Sequence, residues 1–166
     1  KATNYDQASK ELLKGIRLLK DTRKDASDNT LLIEMYQELY NDLYDNDEGI
    51  DTVLFTALEV YQLPKIENSD PTIFAKLCSD IAGMNSIVGN QEETIEWYQK
   101  AAQLGNIESM NNLGFIYYKT KTIKDNYKKA IEWYQRAIKY GDVAAMYNLG
   151  VMYEEGEGVE QSYEEA

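Results

Sequence analysis

The sequence predicts an all-α protein, a right-handed superhelix (solenoid) built of antiparallel helix pairs. The first observation is an internal repeat: residues 95–99, Ile-Glu-Trp-Tyr-Gln, recur unchanged at residues 131–135, and the offset of 36 holds without a gap across residues 91–166. The second is that apolar and small residues recur every three or four positions, which is the spacing of one helical face. Repeats of this length form arrays in which each unit covers an apolar face of its neighbour.

The composition agrees with a folded array and limits the choice of partners. Hydrophobic residues make up 43% and charged residues 28% of the 166 residues, so wholesale disorder is not expected. The formal net charge is −12 and there is no His. Such a chain should repel nucleic acid and anionic membranes and should favour a basic partner. The alternative is that the acidic residues only keep an elongated protein in solution.

The first helix of each pair, here called the A helix, is predicted from a stripe of apolar and small residues. In the repeat from Asn106 to Gly141 the stripe is Ile107, Met110, Leu113, Gly114 and Tyr117. A Gly inside a helix costs roughly 1 kcal/mol relative to Ala. The equivalent Gly114 and Gly150 therefore indicate positions where two helix backbones approach closely.

The second helix, here called the B helix, follows the same periodicity. Its stripe is Tyr127, Ala130, Trp133 or Tyr134, Ala137 and Ile138. Gly105 and Gly141 fit the left-handed position just past a helix end, and Asn106 and Asp142 follow them as N-caps. Each B helix should thus lead into the next A helix through a very short turn, which forces antiparallel contact.

The loop between the A and B helices is longer, residues 119–126. Ile123 in this loop is equivalent to Ile87 and Val159, and we expect the recurring apolar residue to pack beneath its unit. The next repeat has glycines where this loop has threonines, so we expect the two loops to differ in conformation. Thr120 and Thr122 of this loop correspond to Gly156 and Gly158 of the next.

These motifs resemble a known family of helical repeats. The pattern Leu-Gly-x-x-Tyr at 113–117 and 149–153, followed by Ala-x-x-x-Tyr-x-x-Ala at 130–137, is similar to the tetratricopeptide helix pair. The period of 36 and the Trp-Tyr-x-x-Ala pattern resemble the related Sel-one-like repeat family, over residues 91–166. The resemblance implies an adaptor that presents a surface to other proteins.

The repeats divide the chain into two parts. Residues 1–69 are interpreted as degenerate helical repeats or an N-terminal cap. Residues 70–166 are interpreted as Sel-one-like repeats, with units at about 70–105, 106–141 and 142–166, the last of them incomplete.

The two ends of the chain carry a further expectation. The chain begins at Lys1 without an initiator Met, so we expect a trimmed start, and we expect further residues to complete the helix that reaches Ala166. If nothing completes it, the open C-terminal end should be free for self-association.

No catalytic, cofactor-binding or metal-binding residues are predicted. The chain has no His to activate its only cysteine, Cys78, which we interpret as a buried thiol in helix packing. The acidic segment 42–51 lacks the spacing of a calcium-binding loop and is interpreted as a solvated connection. The Gly156-x-Gly158 pair follows a helix, whereas a phosphate-binding loop follows a strand.

The candidate binding residues come from the family resemblance. In tetratricopeptide-type arrays the concave wall is lined by A-helix positions outside the core stripe. Carried onto this chain, these positions form what we call the A-helix surface: Glu108, Asn111, Phe115, Tyr118, Tyr147, Val151 and Glu154. The alternative is that some of them pack only against neighbouring A helices.

The predicted function is that of a non-catalytic scaffold or adaptor. It should bind a partner protein or peptide on the A-helix surface. Nucleic acid is not expected as a partner because of the negative net charge. Membrane insertion is not expected either, because no stretch approaches the roughly 20 apolar residues that span a bilayer. Two alternatives remain: the helical regulatory segment of a larger enzyme, and a self-association segment.

Overall fold

The fold is built of helices. The computed structural model of this protein describes residues 50–62, 66 and 70–158, together with the single positions 7, 10, 11, 14, 15, 18, 33, 34, 36, 37 and 40. Within this described part six helices have defined bounds and no strand occurs. They are α1 (Ile50–Tyr61), α2 (Pro71–Ile87), α3 (Gln91–Gln103), α4 (Ile107–Lys119), α5 (Asn126–Lys139) and α6 (Val143–Glu155).

The chain divides into two compact units, residues 1–97 and residues 98–166, and α3 contributes residues to both. In the first unit α2 is the central element, because residues on most of its circumference are buried. They are Phe74, Ala75, Leu77, Cys78, Ser79, Asp80, Ile81, Ala82, Met84 and Asn85. A helix that is buried on nearly all sides must have neighbours on nearly all sides. The buried environment predicted for the thiol of Cys78 is confirmed.

The start of α2 follows from two residues of the sequence. Asp70 is the N-cap, and its Oδ1 accepts hydrogen bonds from the backbone amides of Thr72 at 2.9 Å and Ile73 at 3.2 Å. Pro71 occupies the first helical position, where its missing amide hydrogen is no loss.

Aromatic contacts join the elements of the first unit. The ring of Tyr61 at the end of α1 stacks on Phe74 of α2, with centroids 5.8 Å apart, and meets Trp97 of α3 edge-on at 4.5 Å. Such arrangements add to the burial of apolar area. Tyr36 is fully buried, and its hydroxyl lies 3.9 Å from the sulfur of Met84.

In the second unit α4 and α5 form a tightly packed helix pair. Gly114 faces the ring of Tyr134, and a Cβ built on Gly114 would lie only 2.5 Å from two atoms of that ring. Tyr134 is almost completely buried, whereas the adjacent Trp133 is partly exposed, so Tyr134 is the aromatic residue that fills the core. Gly114 is thus a close-packing position, as predicted, but a side-chain ring approaches it and not a second helix backbone.

The predicted turns between B and A helices are confirmed as well. Gly105 and Gly141 have φ angles of 92° and 86°, the left-handed region that favours glycine. Asn106 and Asp142 follow as N-caps, and each side-chain oxygen accepts a bond from the amide three residues on, at 2.8 Å and 2.7 Å. The same turn, a left-handed glycine followed by an N-cap residue, therefore begins α4 and α6, 36 residues apart. We call this turn the joint.

The two A–B loops differ in conformation, as the sequence indicated. Gly156 and Gly158 have φ angles of 68° and 77°, whereas Thr120 has a φ of −96°. In the earlier loop the left-handed residue is Asp125 instead, with a φ of 55°. The expectation for Ile87 was wrong: it lies in the last turn of α2 and is exposed, so it is no loop residue packed beneath a unit.

Candidate functional site

The A-helix surface lies on α4 and α6, which contact each other and both contact α5. Four of its seven predicted residues are exposed: Glu108, Phe115, Tyr147 and Glu154. The other three, Asn111, Tyr118 and Val151, are half-buried. Phe115 is 48% and Tyr147 73% exposed, unusually high values for large aromatic side chains. The surface thus combines exposed aromatic rings with carboxylates.

Two of the predicted residues connect α4 to α6. The side-chain amide of Asn148 donates to Oδ1 of Asn111 at 3.1 Å. The hydroxyl of Tyr118 donates to Oε2 of Glu155 at 3.0 Å. Both Asn111 and Tyr118 therefore have a structural role in holding neighbouring A helices together, which leaves Phe115 and Tyr147 as the more accessible members.

Lys119 lies over the aromatic residues at the end of α4. Its Nζ is 5.6 Å from the centroid of Phe115 and 5.0 Å from that of Tyr118. An ammonium group over a ring face is attracted by the ring quadrupole. The contact orients the Phe115 ring while about half of its surface stays open.

A tyrosine–glutamate cluster, which the sequence reasoning missed, adjoins the A-helix surface. The hydroxyl of Tyr127 donates to Oε1 of Glu157 at 2.9 Å, and the rings of Tyr118 and Tyr127 lie 6.1 Å apart. Gly158 allows this approach, because a Cβ there would overlap the Cβ of Tyr127. In the sequence, the replacement of Thr122 in one repeat by Gly158 in the next could have indicated this contact.

The cluster changes the acidities of its members. The pKa of Tyr118 is raised above its ordinary value by burial and by hydrogen bonds to Glu157 and Glu155. The pKa of Tyr127 is raised chiefly by its hydrogen bond to Glu157. For Glu157, desolvation raises the pKa, but hydrogen bonds from Tyr118 and Tyr127 outweigh it, so that the pKa is lowered.

This lowered pKa predicts a loss of stability in acid. A carboxylate whose pKa is lower in the folded state stabilises the fold above its unfolded pKa and loses that contribution as the pH falls through the folded pKa. Glu157→Gln and Tyr127→Phe should both flatten the dependence of the unfolding free energy on pH below about pH 5. Urea denaturation at a series of pH values measures this dependence. Tyr147→Phe, an exposed tyrosine near the start of α6, is the control that should retain the wild-type slope.

Neither a metal site nor a membrane-spanning helix occurs among the described residues. Within the described residues no group of three or more Cys, Asp or Glu side chains is arranged to hold a metal ion. The acidic segment at 42–49, considered in the sequence as a calcium loop, lies outside the described residues. None of the described helices has the length and apolar character needed to cross a membrane.

The repeated helix pairs define the class of this molecule, and comparison with known proteins identifies the family. The two successive repeats with matching joints mark an α-helical repeat protein. A family model described as the Sel1 repeat matches residues 83–106, 107–142 and 143–166. The chain belongs to the Sel1 repeat family, whose members generally serve as protein-interaction scaffolds.

A solved structure shows the same fold. A crystal structure of MamA superposes with a TM-score of 0.60 at 21% sequence identity, covering 99% of this chain and 83% of MamA. A second crystal structure of MamA gives a TM-score of 0.44 at 19% identity, covering 93% of this chain and 85% of that one. No curated protein matches the sequence. The predicted class, an all-α solenoid of antiparallel helix pairs, is confirmed.

Proposed function

We propose that this protein is a non-catalytic scaffold that binds a partner protein or peptide on its A-helix surface. The observation that carries the proposal is the exposure of Phe115 and Tyr147, because large aromatic residues that lie open on a surface are the usual anchors of protein interfaces. They lie on the neighbouring A helices α4 and α6.

The charges beside these rings favour a partner with basic residues. Glu108 and Glu154 are exposed on the same surface, and Glu155 lies at its edge. A partner segment with a basic residue next to an apolar side chain could pair with the carboxylates and pack against the exposed rings. Charges of this kind chiefly set orientation and association rate, while the buried anchors supply most of the affinity.

The test compares two double variants that remove similar amounts of exposed aromatic surface. Phe115→Ala with Tyr147→Ala removes the anchors. Phe55→Ala with Tyr140→Ala is the matched control, because it also removes one exposed Phe and one exposed Tyr, which lie outside the A-helix surface. Both variants should keep the wild-type far-ultraviolet circular dichroism.

Proteins retained by the immobilised full chain are identified by mass spectrometry, and the purified partner is then titrated against each variant. The anchor variant should bind at least about tenfold more weakly, as expected for the loss of roughly 1.4 kcal/mol. The control should bind as wild type does. Equal binding by all three proteins would show that the A-helix surface is not the site.

A second candidate is self-association through α6. Val143, Met146 and Tyr147 are exposed at the spacing of one helical face, whereas Met110, the equivalent of Met146 in the preceding repeat, is buried. Sedimentation of the same variants distinguishes the candidates. If wild type forms a concentration-dependent dimer that the anchor variant does not form, the surface holds a second copy of the chain.

A further inference from the structure

A basic segment lies within the second unit of this acidic protein. Between Lys119 and Lys139 there are seven basic side chains and two acidic ones, a net charge of +5 in a chain whose total is −12. Seven of the 17 basic residues of the protein thus fall at the end of α4, in the loop that follows it and in α5. Because this concentration is local, the total charge conceals it.

The solvent-facing side of α5 presents most of these charges. Lys128, Arg136 and Lys139 are exposed on the helix, and Lys121 and Lys124 are exposed in the loop that leads into it. We call these five residues the basic surface. The opposite side of α5 carries its buried residues Ala130, Tyr134 and Ala137. The basic surface and the core stripe therefore occupy opposite sides of one helix.

Within the described residues few of these charges are neutralised by a neighbouring carboxylate. In the part of the chain that the structure describes, no carboxylate forms an ion pair with Lys124, Lys128 or Lys139. Lys121 is the exception, because it lies close enough to Glu157 to help lower its pKa. Asp125 and Glu132 are the acidic residues within the segment, and both are exposed. Repulsion among the lysines is thus only partly relieved.

Arg136 of the basic surface stacks on an aromatic ring of the same helix. Its guanidinium carbon lies 4.4 Å from the centroid of the Trp133 ring. Stacking on a ring leaves the N–H edges of the guanidinium open, and those edges match the geometry of a carboxylate. A donor group that is already oriented loses less conformational entropy when it binds. A guanidinium stacked on a ring, beside lysines that form no ion pair within the described residues, suits a partner with several carboxylates.

We propose that the basic surface binds a short, carboxylate-rich segment of an acidic partner protein. The extent of the surface favours this occupant, because α5 is only about 20 Å long by its number of residues. At physiological salt a charge acts over roughly 8 Å, so a short segment experiences mainly the local positive charge. A nucleic acid duplex or an anionic membrane extends further and meets the surrounding acidic residues as well.

The test uses the full chain and a fluorescein-labelled decapeptide of alternating Glu and Gly, followed by fluorescence anisotropy. Lys124→Glu with Lys128→Glu reverses two charges of the basic surface. A negative charge near the start of α5 is favourable for the helix, so this variant should remain folded. Lys10→Glu with Lys14→Glu is the control, because both residues are exposed, their spacing is the same and the total charge changes equally. The ion pair of Lys14 with Glu11, which it removes, is exposed and contributes little to stability.

Wild type and control should bind the peptide, more weakly at about 150 mM than at about 20 mM salt. The basic-surface variant should bind at least about tenfold more weakly than the control. Equal loss in both variants would mean that only the total charge matters, and would overturn the proposal. So would an absence of binding by wild type at low salt. Tighter binding of a labelled oligothymidylate or of anionic phospholipid vesicles would overturn the choice of occupant.

Discussion

Replacing Gly114 by Leu should destabilise the protein by more than about 3 kcal/mol. Even the first added atom would lie 2.5 Å from the ring of Tyr134, and that ring is only 1% exposed, so it cannot swing out into solvent without disturbing its neighbours. The helices α4 and α5 would have to separate. Urea denaturation followed by circular dichroism measures the change, and Ala144→Leu, at an exposed position of α6, should cost far less.

A double-mutant cycle tests the cause directly. Gly114→Ala should be destabilising although Ala is the better helix former by roughly 1 kcal/mol. In a Tyr134→Ala background the contact partner is removed, and the same substitution should become neutral or favourable. A cost that is equal in both backgrounds would show that contact with Tyr134 is not the reason for glycine at this position.

Leu77→Ala should destabilise the first unit by about 2 to 5 kcal/mol. The Leu77 side chain is 0% exposed at the centre of α2, a helix buried on most of its sides, so that little collapse into the resulting cavity is possible. Thermal unfolding and urea denaturation measure the loss.

The matched control for this substitution lies on the same helix. Ile87→Ala removes an aliphatic side chain of similar size that is 49% exposed, and it should cost less than about 1 kcal/mol. Similar losses for the two variants would mean that the packing of α2 differs from the arrangement described above.

The sequence predicted those features that depend on local chemistry. The caps at Asn106 and Asp142 need only a side-chain oxygen next to free amides, and the turn at Gly105 needs only a residue that tolerates positive φ. These requirements are met within a few residues, so a single chain displays them. The offset of 36 then carried the same joint to the next repeat.

The remaining features depend on which side chains meet across helices. The resemblance assigned Asn111 and Tyr118 to a binding surface, but helical spacing does not reveal that Asn148 and Glu155 lie within hydrogen-bonding distance. Whether these two also contact a partner stays a prediction. The contact of Tyr127 with Glu157 was missed for the same reason.

The net charge of the whole chain was a poor guide to the charge of its individual surfaces. A net charge of −12 was taken to describe every surface, although screening makes each surface respond to the charges within about one Debye length. Counting over one helix and its loop, instead of over the whole chain, separates the basic α5 from its acidic surroundings.

The repeated Trp-Tyr pair gives each compact unit its own optical reporter. The two tryptophans of the chain are Trp97, in edge contact with Tyr61, and Trp133, beneath the guanidinium of Arg136. A Trp-to-Phe exchange at one position leaves tryptophan fluorescence, excited selectively over that of the 14 tyrosines, from the other position alone. Paired single-tryptophan proteins would therefore reveal whether the halves of this molecule melt together or one after the other.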